Sequence, residues 1–216
     1  AARRDGDRGD GVSPKLRELL NARLSRLPAD ALTVLRVAAA AGRSTDEGLL
    51  GTASGMDQGR LEVALRAALD EQVLVRTGLG PEAGYRFRHE IMRTVVGSML
   101  LPAEAVRVHR SYAQALAAGP VERRDPAEVA YHWEAAGDVS HALGAHVEAG
   151  LVAERAFAFE QALQHYDRAA ARWDVVTDAE SVAGLSWRRV AECGAGSAAK
   201  SGDYDRAIEL VQLILA

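Results

Sequence analysis

The sequence contains few of the residues on which metal and redox sites depend. Its 216 residues include one cysteine, Cys193, which excludes an internal disulfide and a cysteine-based metal site. Only two of its 26 basic side chains are lysines, Lys15 and Lys200, and neither follows the glycine turn of a phosphate-binding P-loop. Aromatic residues make up 5% of the chain, and no apolar run reaches the roughly 18 residues that a membrane-spanning helix needs.

The composition is that of a globular chain. Hydrophobic residues contribute 48% and charged residues 26%, which suffices for one or two packed domains. The formal net charge of −4 argues against a whole-chain nucleic-acid binder, because phosphate contact needs a basic surface. The charged, glycine-rich residues 1–12 are predicted to be a disordered linker and are neither a signal peptide nor a transit sequence. We therefore expect a cytoplasmic protein that does not contact a membrane.

Helices followed by a hairpin are predicted for the first half of the chain. Four segments place their apolar residues on one helical face, and each follows a helix start signal. The start signals include Asp57 and a capping box formed by Ser44 and Glu47. Short alternating runs at 73–76 and 85–88 then flank a Gly/Pro turn, which predicts one small β-hairpin as the only β structure. Helices that precede such a hairpin are typical of a winged helix.

From His89 onward only helix is predicted. The breaks at Gly137, Phe157 and Gly202 are each followed, five residues later, by an alanine and a larger apolar residue. A small residue at that place lets two helices approach closely, which is typical of tetratricopeptide-like helical hairpins. Because the intervals between the breaks are unequal, we predict an irregular tetratricopeptide-like α-solenoid.

Charge and composition predict a domain boundary near residue 120. Residues 1–100 carry 15 basic and 13 acidic side chains, whereas residues 101–216 carry 11 and 17. A linker-like composition at 119–125 falls at the same place. We predict a winged-helix domain with connecting helices over 13–119 and a helical-repeat arm over 120–216. The chain starts without methionine and stops inside an apolar helical pattern, so we expect a truncated arm and a longer parent protein.

No constellation of catalytic or metal-ligating residues is visible, so the chain is not predicted to be an enzyme. His89 and Glu90 begin like a zinc-protease helix, but Arg93 stands where the second histidine ligand would be. Cys193 is expected to be a buried, inert thiol. We expect no metal and no cofactor in this chain. A helix-pairing or capping role is expected for three histidines of the second half, His132, His141 and His146.

Two groups of side chains leave functional alternatives open. The helix predicted over 57–70 exposes arginines and carboxylates together, so carboxylates would lie against DNA phosphates. The hairpin carries the strongest basic cluster, Arg76, Arg86 and Arg88, so DNA contact stays an alternative to packing inside a larger assembly. The aromatic residues of the arm either fill its core, which is favoured, or line a ligand groove. They are Tyr131, Trp133, Tyr166, Trp173, Trp187 and Tyr204.

Several blocks of the sequence resemble one protein family when they are taken in order. The blocks are Leu16–Leu20 with Arg23–Pro28, Val34–Gly42, Tyr85–Arg93, Leu100–Pro102 with Arg107–Arg110 and Tyr112-Ala113, and Ala127–Asp138. They resemble the region after the ATPase core in large ATP-binding regulators of the LuxR type, the MalT-like branch of the STAND signalling ATPases. The resemblance covers residues 13–216.

This resemblance implies a parent protein with a nucleotide-binding core, a winged helix, a helical-repeat sensor arm and a C-terminal helix-turn-helix. The chain holds the middle two, so ATP or ADP and DNA would be bound by parts outside it. The resemblance also implies that His89, which follows the second wing strand, faces the β-phosphate of ADP. Arg88 and Glu90 replace the Met and Asp that flank this histidine in plant resistance proteins. A helix N-terminus and an imidazole donor both suit a phosphate. The alternative interpretation is that the His89 side chain caps its own helix.

We therefore predict a non-enzymatic regulatory fragment of a bacterial transcriptional activator. Its winged helix would pack on the nucleotide-binding core of the same parent chain. Its arm would bind an inducer or a protein partner, and this binding would shift the equilibrium between closed and open states. The alternatives are a sensor arm linked to a nucleotide cyclase or kinase, and a winged helix that contacts DNA.

Overall fold

The chain is mainly helical, and its described part has one small antiparallel sheet of three strands. It divides into two compact units, Ala1–Val108 and His109–Ala216. The linker predicted over 1–12 lies outside the described residues. None of the helices in the described part combines the length and apolarity that crossing a lipid bilayer requires. The computed structural model describes residues 13–42, 44–78, 83–120 and 124–215.

The helices of the first unit follow the start signals of the sequence in most places. Ser13 Oγ accepts a hydrogen bond from the Leu16 amide at 3.3 Å, and Asp57 Oδ1 accepts one from the Arg60 amide at 3.0 Å. The helices are α1 (Pro14–Leu24), α2 (Ala29–Ala41), α3 (Glu47–Ser54), α4 (Gln58–Asp70) and α5 (Glu90–Gly97), followed by α6 (Pro102–Ala118), which continues into the second unit.

The start of α3 differs from the predicted capping box of Ser44 and Glu47. Asp46 is the N-cap instead, and its Oδ1 accepts a hydrogen bond from the Leu49 amide at 2.8 Å. Residues 45–46 belong to a strand, so the helix begins only at Glu47. The carboxylate of Glu47 accepts a hydrogen bond from the Tyr85 hydroxyl at 3.0 Å.

The sheet has one strand more than the single hairpin that the sequence predicts. The hairpin strands β2 (Leu74–Thr77) and β3 (Gly84–Phe87) pair as expected, but β1 (Thr45–Asp46) pairs with the other edge of β3. A strand of two residues is too short to show an alternating pattern, so the sequence does not predict β1. The order is β1-β3-β2. Most of the loop between β2 and β3 lies outside the described residues.

Helix α2 forms the centre of the first unit. Eight of its thirteen residues are buried, and α2 contacts α3, α4, α5 and β3. Leu35 and Val34 are fully buried, and four consecutive alanines, 38–41, complete the buried face. Small side chains on that stretch let the neighbouring elements approach α2 from several sides.

The second unit contains only helices among its described residues. Three breaks that the sequence predicts are observed as turns with a positive φ, at Gly137 (70°), Phe157 (60°) and Gly202 (91°). The alanines five residues after the first two, Ala142 and Ala162, are fully buried. Besides the end of α6, the helices are α7 (Pro126–Ala135), α8 (Val139–Arg155), α9 (Phe159–Ala170), the 3-10 turn Trp173–Val175, α10 (Ala179–Ala183), α11 (Trp187–Ser201) and α12 (Tyr204–Leu215).

The division between the units falls at Val108/His109, inside α6, whereas the sequence places a boundary at 119/120. The reason lies in the second half of α6. Ala113 is fully buried in one hydrophobic cluster with Val129 and Trp133 of α7, and Leu116 packs against that cluster. The last turns of α6 therefore belong to the core of the helical unit.

Candidate functional site

His89, the candidate site residue of the sequence, lies at the junction between β3 and α5. It is the N-cap of α5, with φ −132° and ψ 131°, and its side chain is exposed. Its carbonyl oxygen accepts hydrogen bonds from the amides of Met92 (3.0 Å) and Arg93 (3.4 Å). The imidazole makes no capping hydrogen bond, so the interpretation of His89 as a side-chain cap of its own helix is not supported.

Residues that precede and follow His89 in the sequence line a cationic surface pocket. It has a volume of about 410 Å³ and includes both chain neighbours of His89, although His89 itself is not among its lining residues. Three arginines face one carboxylate, so an anionic group is the ligand class that suits this pocket. The lining residues are Gly42, Ser44, Thr77, Arg86, Phe87, Arg88, Glu90 and Arg93.

The three arginines of this pocket differ in the hydrogen bonds that hold their side chains. Arg93 donates to Glu90 Oε1 at 2.7 Å and to the Ala39 carbonyl at 3.3 Å, and it holds the pKa of the Glu90 carboxyl below its usual range. Arg88 donates to the Gln72 side chain at 3.2 Å. Arg86 donates to the Phe87 carbonyl at 3.3 Å. Arg93 is therefore held by two partners, whereas Arg86 and Arg88 are exposed and have one hydrogen bond each to a neighbouring group.

The arginines of α4 are neutralised by carboxylates. Arg60 makes a two-point contact with Asp30 of α2, at 3.0 and 2.7 Å, and lowers the pKa of that carboxyl. Arg66 contacts Glu62 one turn away at 2.6 Å. This helix would enter the DNA groove in a DNA-binding winged helix, and its cations are already paired.

Two histidine pairs are the most unusual polar feature of the second unit. Nδ1 of His109 (α6) lies 2.9 Å from Nδ1 of His132 (α7), and Nδ1 of His146 (α8) lies 3.1 Å from Nδ1 of His165 (α9). His132 and His146 are fully buried. The expected helix-pairing role of these two is therefore observed, and His141 contacts its helix cap, Asp138, at 2.9 Å.

Burial sets the protonation state of the paired imidazoles. It lowers the pKa of His132 to about 4, with a smaller contribution from the neighbouring ring of His109. It also lowers the pKa of His146 to about 4, because Glu134 offsets only part of the desolvation. Burial lowers the pKa values of His109 and His165 as well. All four rings are therefore neutral at pH 7.

The six aromatic residues of the second unit divide between its core and its surface, so the favoured core-filling interpretation holds for only part of them. Trp133 and Tyr166 are buried, whereas Tyr131 and Tyr204 are exposed to 49% and 68%. Trp173 and Trp187 are partly buried and their rings lie 5.5 Å apart. An exposed apolar groove lies between α11 and α12 and is lined by Ala195, Gly196, Ala199, Tyr204, Ala207, Ile208, Val211 and Gln212.

Cys193 and Glu134 are two further side chains of the second unit whose surroundings bear on reactivity. Cys193 is buried, and burial raises the pKa of its thiol, as expected for an inert thiol. Glu134 forms ion pairs with Arg168 of α9 and with Arg172, which follows that helix. In the part of the chain that the structure describes, no group of three or more potential ligands is placed to hold a metal ion.

Comparisons with family models, with curated proteins and with solved structures found no match for this chain. The geometry above is therefore the basis for assigning a function.

Proposed function

We propose that the chain is the winged-helix and helical-repeat part of a bacterial ATP-dependent regulator of the LuxR type, and that it acts as a relay without catalytic chemistry of its own. The nucleotide would be held by the core of the parent chain, and an inducer or partner would bind the arm. The observation that carries this proposal is the exposed imidazole of His89 at the start of α5, flanked by a cationic pocket.

The element order of the first unit supports the winged-helix assignment. Helix α2 is followed by the short strand β1, two helices and the β2–β3 hairpin, and β1 joins the sheet beside β3. A winged helix has this order, with the hairpin as its wing. Gly84 permits the close pairing, because a Cβ there would lie 3.0 Å from the Thr45 carbonyl oxygen.

The packing of the second unit supports the tetratricopeptide-like assignment. Helix α8 packs against α7 and α9, and α11 packs against α9 and α12. Each tight turn is followed five residues later by an alanine at the helix contact, at Ala142, Ala162 and Ala207. Repeat proteins that stack helical hairpins in this way offer extended binding surfaces, which suits a sensor of a ligand or partner.

His89 would act by holding the phosphate of ADP. Its ring is free of the helix it caps and can donate a hydrogen bond outward, while the amides at the start of α5 and the arginines 86 and 88 attract an anion. Loss of this contact when ADP leaves would free the winged helix to change its position against the core. Such a switch requires the nucleotide to bind the two states unequally.

The experiment that tests this role is ADP release from the intact parent protein. We expect His89→Ala to release a fluorescent ADP analogue about ten times faster, because one hydrogen bond to a charged group contributes roughly 1.5 kcal/mol. His141→Ala is the matched control, since His141 is an exposed histidine in the second unit. An unchanged release rate in His89→Ala would refute the phosphate contact.

DNA binding by the winged helix is the second candidate, favoured by the exposed arginines 76, 86 and 88 of the hairpin. Against it stand the ion pairs of Arg60 and Arg66 on α4. We expect no salt-dependent shift of duplex DNA when this chain is added at micromolar concentration. A shift that weakens steeply with salt, and that Arg86→Ala abolishes, would favour the DNA-contacting function instead.

A further inference from the structure

The two histidine pairs have the same construction in successive layers of the second unit. Each pair joins neighbouring helices, α6 to α7 and α8 to α9, through facing Nδ1 atoms at 2.9 and 3.1 Å. In each pair one ring, His132 or His146, is fully buried, and its partner, His109 or His165, is partly buried. These four rings are four of the six histidines of the chain.

An Nδ1–Nδ1 contact can hold only one hydrogen. One ring must donate it and the other must accept, so each neutral pair contains one ring in the Nδ1–H tautomer. A proton on the accepting Nδ1 would place two N–H groups face to face at about 3 Å, and protonation of both rings would add two positive charges, so the attraction would become repulsion. The contact between the helices is therefore tied to the proton count of the pair.

The first pair lies among rings and offers a cation little compensation. Tyr112 of α6 stacks on His132 with a centroid distance of 4.9 Å, and Tyr131 of α7 meets both histidines edge-on. Glu128 lies one turn before His132 on α7. Nε2 of His132 is buried without a hydrogen-bond partner, so a proton added there would be buried without an acceptor.

The second pair has a carboxylate nearby, but that carboxylate is already used. Glu134 Oε2 of α7 lies 3.3 Å from Nε2 of His146 without hydrogen-bond geometry, and Glu134 is also bound by Arg168 of α9 and by Arg172, which follows that helix. At His165, the positive charge of Arg168 opposes a proton, while the charges of Asp125 and Glu134 favour one. Desolvation exceeds these opposing effects, so both rings stay neutral at neutral pH.

We propose that the two histidine pairs make the second unit responsive to acid: neutral pairs hold α6 to α7 and α8 to α9, and protonation of the pairs loosens these helix contacts. This inference rests on the second unit alone and does not depend on the proposed function. The sign follows from the buried rings. Unfolded histidines take up a proton near pH 6.5, whereas His132 and His146 do so near pH 4. Stability is therefore full above pH 6.5 and is lost as the pH falls toward 4.

The test is urea unfolding of the whole chain between pH 7.5 and 5.0, followed by tryptophan fluorescence. All three tryptophans, Trp133, Trp173 and Trp187, lie in the second unit, so the signal reports that unit. Each buried histidine should raise the unfolding equilibrium constant about 30-fold over this range, so the two together give roughly 10³-fold. Carboxylates stay largely ionised above pH 5, which keeps their contribution small.

Two variants separate the pairs from other histidines. His132→Asn should remove about 30-fold of the pH response, because asparagine retains a hydrogen-bonding group near the Nδ1 position but does not titrate. His141→Asn is the control and should leave the response unchanged. His141 is exposed, and its ring stacks on Trp133 with a centroid distance of 4.4 Å. The His141→Asn control therefore also shows whether His141 itself changes the fluorescence of Trp133 with pH.

A measurement on the wild-type chain decides the matter even when His132→Asn does not fold. Nitrogen NMR of labelled histidines should find His132 and His146 neutral down to pH 5, with the pKa values of His109 and His165 below the ordinary value, and one Nδ1–H tautomer in each pair. An unfolding constant that does not change between pH 7.5 and 5.0, or four rings that titrate near pH 6.5, would overturn the proposal. So would stabilisation by Zn²⁺ at pH 7.5 that is lost in His132→Asn, since it would identify the first pair as metal ligands.

Discussion

Replacing Gly150 with alanine is expected to destabilise the second unit by about 2 kcal/mol, although alanine is the better helix former. A Cβ at this position in α8 would lie 2.6 Å from Cε1 and 2.9 Å from Cζ of Tyr166 on α9. Tyr166 is buried, and its hydroxyl donates to Glu154 at 3.2 Å, so the ring has little freedom to move away. Relief of the clash requires α8 and α9 to separate.

The matched control is Gly196→Ala in α11. Gly196 is also inside a helix, but a Cβ there would meet no atom within 4 Å. This variant should gain roughly 0.5 to 1 kcal/mol from helix propensity. Urea unfolding followed by tryptophan fluorescence at pH 7.5 measures both variants. Equal effects of the two substitutions would show that the α8–α9 approach is not limited by the size of residue 150.

Local signals in the sequence were sufficient to predict most of the helices, because caps and turns depend on neighbouring residues. Ser13 and Asp57 cap the predicted helices, and Gly137 and Gly202 end helices where the sequence places breaks. Strand β1 could not be predicted in this way. It has two residues and exists only because β3, about forty positions later, offers an edge for Thr45 to pair with Tyr85.

The histidine pairs illustrate a limit of the same kind. The sequence indicates helix-pairing roles for His132 and His146, since a lone histidine on a helical face is more often packed than ligating. Their partners, His109 and His165, lie 23 and 19 residues away and meet them only through helix packing. No spacing rule links the four rings, so the pairing becomes visible only in three dimensions.

The candidate site in the first unit was predicted from the resemblance and not from periodicity. The structure places His89 at the start of α5 with an exposed ring, and the arginines beside it line a pocket. The sequence already indicates the arginine cluster at 86 and 88, but it does not show that Arg93 lines the same pocket. The role of His89 toward ADP stays a prediction for the intact parent protein.

The proposed function and the acid response have separate tests. The ADP experiment concerns His89 in the first unit, and its failure would leave the histidine pairs untouched. The unfolding experiment concerns four rings of the second unit, and its failure would leave the regulator assignment as it is. Success of both would give the chain two inputs, one through nucleotide and one through protons, with no residue in common.

Tyr112→Ala is expected to cost about 3 to 5 kcal/mol of the stability of the second unit at pH 7.5. Tyr112 is 1% exposed and stacks on His132, so its removal leaves a cavity against a buried imidazole. Tyr131→Ala is the matched control, because Tyr131 also contacts His132 but is 49% exposed. It should cost less than about 1.5 kcal/mol, since much of that ring is already in water.

The same substitution should reduce the acid sensitivity of the second unit. Water that reaches His132 through the cavity at residue 112 lowers the desolvation that depresses its pKa, so the pKa moves back toward 6.5. The loss of stability between pH 7.5 and 5.0 then becomes smaller, although the starting stability is lower. Tyr112→Phe keeps the ring, so it should retain the full pH response in tryptophan-detected unfolding. An unchanged pH response in Tyr112→Ala would mean that this ring does not shield His132 from water.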